Sequence, residues 1–206
     1  MHWFSIWVQT FGVIFALIDP FGYVPMFLTM TARDTIERRR AMLRKACVTA
    51  FAVLTAFTFL GNHILAFFGI SIPALQISGG LILLAIGFEM LKVTPVHEKI
   101  SESEESDGAA KDDISIVPLA IPMLSGPASI STVIMLTSKT PSAHGYMAII
   151  GSIALTLGFT YVILSSANRV LAIVGLTGLK VVTRVMGFLL CAMAIQFVIN
   201  GYLAIR

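Results

Sequence analysis

The sequence is poor in charged residues and in cysteine. Only 12% of the 206 residues are charged and 57% are hydrophobic, whereas soluble domains contain roughly 25% charged residues. Water is therefore not the main solvent of this chain, in keeping with its mean hydropathy of +0.90. The two cysteines, Cys47 and Cys191, lie far apart in apolar surroundings without a Cys-x-x-Cys spacing. This argues against a cysteine-based metal or redox motif and predicts two small buried side chains.

The N-terminal segment lacks the features of a removable signal peptide. It has neither a basic n-region nor a small-residue cleavage site, so we expect it to stay as the first helix. Six apolar runs are long enough to span a bilayer, which requires about 20 residues. They lie near residues 4–30, 46–68, 73–91, 115–138, 146–168 and 182–203. The sequence thus predicts an all-α polytopic membrane protein of six transmembrane helices.

The basic residues indicate which loops face the cytoplasm. Twelve of the 14 lysines and arginines fall in loops one, three and five. By the positive-inside rule these loops are cytoplasmic, and both termini lie outside the inner membrane. Four aromatic residues at the predicted outer helix ends agree with this orientation: Trp3, Trp7, Tyr146 and Tyr202. The net charge of +3 is then explained by topology, so the expected partner is the lipid bilayer and not nucleic acid.

A weak internal repeat relates the two halves of the chain. A shift of 107 residues aligns Asp19-Pro20 with Gly126-Pro127, and the stretch 80–89 with 187–196; Gly69 matches Gly175 one residue out of step. Chance similarity between apolar helices is the alternative, and three collinear anchors argue against it. Because each copy has three spans, the second copy enters the bilayer upside down. We predict a first repeat over 1–92, a flexible cytoplasmic loop over 93–113 and a second, inverted repeat over 114–206.

Helices one and four each contain a polar break at the predicted midplane. The first break is IDPFGYVP (residues 18–25) and the second is IPMLSGP (residues 121–127). Proline and glycine interrupt the backbone ladder, and unpaired backbone at this depth is stable only inside protein or beside a polar cavity. Half-helix ends suit a zwitterion, and nearby hydroxyls suit a small ligand: Ser125, Ser129 and Ser131. The breaks therefore predict a binding site.

Asp19 is the one ionisable residue near a predicted membrane centre. Translocon scales give a cost of about 2.5 to 3.5 kcal/mol for a carboxylate there. Two roles carry equal weight: the N-cap of a half-helix that begins at Pro20, and direct handling of a ligand or proton.

At these residues the chain resembles the MarC family of membrane proteins, also called the NAAT family. The similar segments are IDPFGYVP, FGISIPALQISGG, VPLAIPMLSGPASISTVI and GLTGLKVVTRVMG. The resemblance implies six spans in the inner membrane and transport of small neutral amino acids such as glycine and alanine. The binding region that it implies falls on Asp19, Pro20, Phe21, Gly22, Ser125, Gly126 and Pro127.

Other functions fit the sequence less well. An electron carrier would need symmetry-related cysteines, but the shift maps Cys47 to Ala154 and Cys191 to Leu84. A hydrolase would need a base beside Ser125, and the histidines fall at helix ends or in loops. We therefore predict no enzyme, cofactor or metal. An exporter of drugs or other metabolites is the main rival and would need a wide aromatic or Met-rich cavity. The hypothesis is alternating access around a small-molecule substrate; proton or sodium coupling, transport direction and homo-oligomer formation stay open.

Overall fold

The computed structural model describes residues 2–92 and 114–205, and within them every regular element is helical. The elements are α1 (His2–Ile18), α2 (Tyr23–Met30), α3 (Ile36–Phe67), α4 (Ile72–Leu91), α5 (Ser115–Leu124), α6 (Pro127–Lys139), α7 (Ala143–Ser165) and α8 (Ala167–Leu203). The all-α class is thereby confirmed. The predicted flexible loop at 93–113 lies outside the described residues.

Four of these helices, α3, α4, α7 and α8, are long and apolar enough to cross a membrane. The segment Trp7–Ile18 and α2 qualify only as a pair, which is bent by 46°. The predicted fourth span, near 115–138, contains α5 and α6, with 10 and 13 residues. Neither is of membrane length by itself. Many large apolar side chains face outward, such as Phe67 (85% exposed) and Ile173 (84%), and in a membrane protein such surfaces contact lipid.

Two predicted loops are helical in the structure. The basic residues of loop one, apart from Arg33, lie on α3. This helix begins at Ile36 because the Thr35 side chain accepts a hydrogen bond from the Arg38 amide. The arginines and lysines that follow are good helix formers. Loop five, predicted around 169–184, is part of α8. It contains no proline, and its only backbone interruption is Gly175, with φ +69°. The prediction that these two polar segments form loops was therefore wrong.

Helices α4 and α8 pack closely through glycines. A Cβ on Gly80 would lie 2.8 Å from the Ala194 carbonyl oxygen, and one on Gly187 would lie 3.0 Å from the Gly87 carbonyl oxygen. Gly201 near the end of α8 meets Pro73 near the start of α4, so the two helices are antiparallel. Small residues let membrane helices approach to backbone contact. We call this α4–α8 contact the glycine seam.

The remaining helices enclose a core around the end of α1. Large, fully buried side chains from five different helices meet there: Ile18, Phe27, Leu54, Leu119 and Ile153. α1 also lies along α7, where the Trp7 ring covers Gly151 and Phe15 meets Phe159 edge to face at 6.3 Å. The chain segments between helices α1 and α2, and between α5 and α6, are thus held inside the protein.

Candidate functional site

The first break is a tight turn between α1 and α2. The Asp19 amide still donates to the Phe15 carbonyl oxygen at 3.0 Å, and the Gly22 amide donates to the Asp19 carbonyl oxygen at 3.1 Å. Asp19 has φ +39°, a backbone conformation that residues other than glycine adopt at a cost in free energy. Pro20 has no amide hydrogen, so it cannot complete the helical hydrogen bond to the Ala16 carbonyl. The helix therefore ends here with carbonyl groups left free of their usual donors.

Asp19 does not cap the following helix. α2 begins at Tyr23 with Gly22 as its N-cap residue, and no side chain caps this end. The predicted N-cap role of Asp19 is therefore wrong. The reason is local: the turn between Asp19 and Gly22 delays the start of α2 by three residues beyond Pro20, and the Asp19 backbone instead closes the last turn of α1.

The Asp19 carboxylate is buried and poorly satisfied. The residue is 2% exposed, and neither carboxylate oxygen accepts a hydrogen bond of good geometry from the described residues. Its polar neighbours are the Gly22 backbone and the hydroxyl of Thr183 on α8. A Cβ on Gly22 would overlap Asp19 Oδ2 and would lie 3.2 Å from Thr183 Oγ1. The absence of a side chain at Gly22 thus lets the Asp19 carboxylate pack against the turn, with the Thr183 hydroxyl close by.

The second break lies between α5 and α6. α5 has π-type hydrogen bonds between residues five apart, including Leu119 N to Ile114 O at 3.2 Å and Ser125 N to Ala120 O at 2.9 Å. Extended backbone at Val117 (ψ 120°) and Ile121 (ψ 122°) interrupts it further. α6 then starts at Pro127 without a side-chain cap. Its first amide groups are therefore available to a ligand.

The structure brings the two breaks together. The Tyr23 hydroxyl, at the start of α2, donates to the Met123 carbonyl oxygen at the end of α5 over 3.3 Å. Met123 is followed directly by Leu124 and by Ser125, which is 1% exposed. A side chain at the first break thus reaches the backbone next to the second break, 100 positions away in the sequence.

The predicted serines and prolines differ in their placement. The Ser125 hydroxyl donates to the Ala120 carbonyl oxygen at 2.9 Å, so it supports the break and is not free. Ser129 is also buried, at 6% exposure. Pro20 and Gly126 are buried, Phe21 is partly buried and Pro127 is exposed. Pro127 therefore contributes backbone geometry, through the start of α6, and its ring does not face the interior.

The described residues include no group of three or more His, Cys, Asp or Glu side chains that could hold a metal ion. Both cysteines are buried and unpaired.

Comparison with known proteins identifies the family. The family model described as "MarC family integral membrane protein" matches residues 4–205. The chain belongs to the MarC family. Its relatives include UPF0056 membrane proteins of Methanocaldococcus jannaschii (37% identical, covering 94% of each chain), of Bacillus subtilis (33%, 96% of this chain and 94% of the relative) and of Escherichia coli (32%, 96% and 92%). No solved structure matches this MarC protein.

Two residues of this MarC site were missed by sequence reasoning. Tyr23 lies within the IDPFGYVP segment, but the sequence does not show that its hydroxyl reaches the second break. Thr183 lies at the predicted boundary between loop five and the sixth apolar run, and only the helical course of α8 places it beside Asp19. Further buried hydroxyls without partners lie one turn apart on α7, at Ser152 and Thr156. That both hydroxyls lack a partner among the described residues was not expected, because hydroxyls on an apolar helix usually bond to its own backbone.

Proposed function

We propose that this MarC protein transports a small neutral amino acid, of the glycine or alanine type, across the inner membrane by alternating access around the two helix breaks. The observation that carries the proposal is the contact of the two breaks through Tyr23 and Met123, beside a buried carboxylate that lacks partners. Interrupted helices that meet inside a membrane protein are the usual setting for a solute site.

The proposal includes six spans, with α1–α2 and α5–α6 each crossing as one broken helix. In such an arrangement successive spans cross the membrane in opposite directions, and contacts between helices support this alternation. Phe59 of α3 stacks on Tyr146 of α7 at 5.6 Å, and the Ser138 hydroxyl of α6 donates to Asn62 of α3 at 2.6 Å. Phe59 and Asn62 lie in the second half of α3 and meet the start of α7 and the end of α6, so these parts of the three helices lie on the same side, as the alternation requires.

Packing partners support the inverted repeat. A shift of 107 residues maps α3 onto residues 143–174, which start with α7 and stop just before Gly175. Gly69 and Gly175, one residue out of register, share a positive φ, +66° and +69°. Contacts map in the same way: α1 packs on α7 as α5 packs on α3, and α2 packs on α8 as α6 packs on α4. An accidental similarity of apolar helices would not reproduce these pairs.

The chemistry of the breaks favours a zwitterion. The carbonyl end of α1, beside Asp19, makes this part of the site negative, which suits an ammonium group nearby. The uncapped amide end of α6 offers donors to a carboxylate. A short amino acid would need few contacts beyond these two, and the nearby Ser129 side chain is small. The aromatic rings next to the first break, by contrast, pack on one another, with Phe11 and Phe15 at 5.4 Å, which favours a small solute over a drug.

The test is uptake of labelled glycine and alanine into proteoliposomes. Asp19→Asn should reduce uptake by about tenfold or more, since a lost charged interaction is worth roughly 1.5 to 3 kcal/mol, and Ser125→Ala should reduce it by disturbing the second break. Matched controls are Asp34→Asn, at a surface ion pair with Arg38, and Ser78→Ala, an exposed serine that also donates to a backbone carbonyl. Unchanged uptake in both site variants would remove the proposed site.

The same vesicles separate the substrate classes. If no amino acid is transported while a bulky apolar cation is exported, the rival role as a drug exporter is correct.

A further inference from the structure

The Asp19 carboxylate lies in surroundings that disfavour a bare negative charge. It is buried, its oxygens lack hydrogen-bond partners, and it follows the last turn of α1. The C-terminal end of a helix carries partial negative charge, which repels a carboxylate instead of stabilising it. An ionised group inside a membrane protein is therefore expected to have a positive partner.

Among residues 2–92 and 114–205, no protein cation fills that role. The described carboxylate neighbours are the Thr183 hydroxyl and the Gly22 backbone, both uncharged. Lys180 and Arg184, which flank Thr183 on α8, have exposed side chains. A positive charge for Asp19, either a proton or a metal cation, would then come from solution.

We propose that Asp19, Thr183 and the carbonyl end of α1 form the site of a monovalent cation, either a proton or Na⁺, that couples transport. The role of the cation in coupling rests on the proposed transport function, but the binding of the cation does not. All the groups at the site are oxygen atoms, which suit a hard cation. Carbonyls at half-helix ends commonly bind such ions in transporters.

Gly22 lets the Asp19 carboxylate lie directly against the turn. A Cβ at this position would collide with Asp19 Oδ2 and approach Thr183 Oγ1 to 3.2 Å. Yet Gly22 has φ −62° and ψ −30°, a conformation that alanine adopts readily. Glycine is therefore required here by space and not by backbone geometry, so Gly22→Ala displaces the carboxylate from beside Thr183 without straining the turn.

The site joins the two halves. Asp19 belongs to the first predicted repeat and Thr183 to the second, and α2 packs on α8 nearby. A cation held between them would stabilise the arrangement in which the halves are close at this point. Binding of the cation and movement of the halves would then depend on each other, which is the requirement for coupling.

The experiment measures cation binding directly, by thermal unfolding of the purified full-length protein in detergent. One arm replaces choline chloride by NaCl at constant ionic strength and pH; the other lowers the pH in choline chloride alone. The variants are Asp19→Asn, Thr183→Val, Thr183→Ser and Gly22→Ala. Gly158→Ala is the control, because a Cβ there meets no atom within 4 Å.

A rise in unfolding temperature with Na⁺ that is lost in Asp19→Asn, Thr183→Val and Gly22→Ala, but kept in Thr183→Ser and the control, assigns Na⁺. A rise on acidification that is lost in Asp19→Asn and kept in Gly22→Ala assigns a proton. A wild-type protein that responds in neither arm, or an Asp19→Asn variant that responds like the wild type, overturns the site. Amino-acid uptake without any cation response would leave the transport proposal intact and overturn the cation site. A cation response without uptake would leave the cation site intact and overturn the transport proposal.

Discussion

The glycine seam between α4 and α8 makes a quantitative prediction at Gly80. A Cβ at this position would lie 2.8 Å from the Ala194 carbonyl oxygen and 2.8 Å from Val198 Cγ2. The first of these atoms belongs to the backbone, so no rotamer change can move it away. Ordinary contact begins at 3.4 Å, so α4 and α8 would have to separate by about 0.6 Å here, an overpacking that typically costs about 1 to 3 kcal/mol.

Gly80→Ala is therefore expected to lower the unfolding temperature by several degrees, at about 2 to 4 °C per kcal/mol for a chain of this size. A thiol-reactive dye can report unfolding, because Cys47 and Cys191 are both buried in the folded protein. The control is again Gly158→Ala, which should be neutral or slightly stabilising, since alanine favours helix over glycine by roughly 0.5 to 1 kcal/mol. If Gly80→Ala melts with the control or above it, the helices do not approach as closely as described.

Three further predictions test other parts of the structure. Tyr23→Phe removes the hydrogen bond to Met123 and should destabilise the protein by about 1 kcal/mol and slow uptake; equal stability and uptake would show that the bond contributes nothing. Gly175→Ala should cost about 1 to 3 kcal/mol by thermal unfolding, because its φ of +69° and ψ of 166° are essentially restricted to glycine although the space around it is open. A neutral result would mean that the bend is not fixed. A tag after Arg206 should react with an impermeant reagent outside intact cells while a cysteine at Ser106 should not; the opposite pattern would reverse the topology.

Much of the fold follows from local sequence features. Apolar runs of membrane length, and the proline and glycine pairs that interrupt them, act over a few residues, so the helical class and the positions of the interruptions after Ile18 and Leu124 could be predicted. The start of α3 at Ile36 and the continuation of α8 through loop five could not be predicted, because a polar helix and a polar loop have the same composition. Only capping and the absence of proline separate them.

The site itself was less predictable. That Asp19 lies in an unusual environment follows from its sequence position, but its role at the end of α1 depends on where the turn closes, which three hydrogen-bonding residues decide together. Its neighbour Thr183 and the Tyr23 contact to Met123 join segments far apart in the chain. Such pairs depend on how the halves pack, and a single sequence contains no record of that packing.

The backbone contact along α4 and α8 restricts how the two halves can move. Where glycines contact the main chain directly, there are no side chains to repack. The glycine seam should therefore permit rotation of α4 and α8 about their contact but little sliding along it. The displacement of the other helices must then grow with their distance from the glycine seam. Under the proposed alternating access, the Phe59 and Tyr146 rings, parallel to within 7°, would slide across each other as α3 and α7 separate.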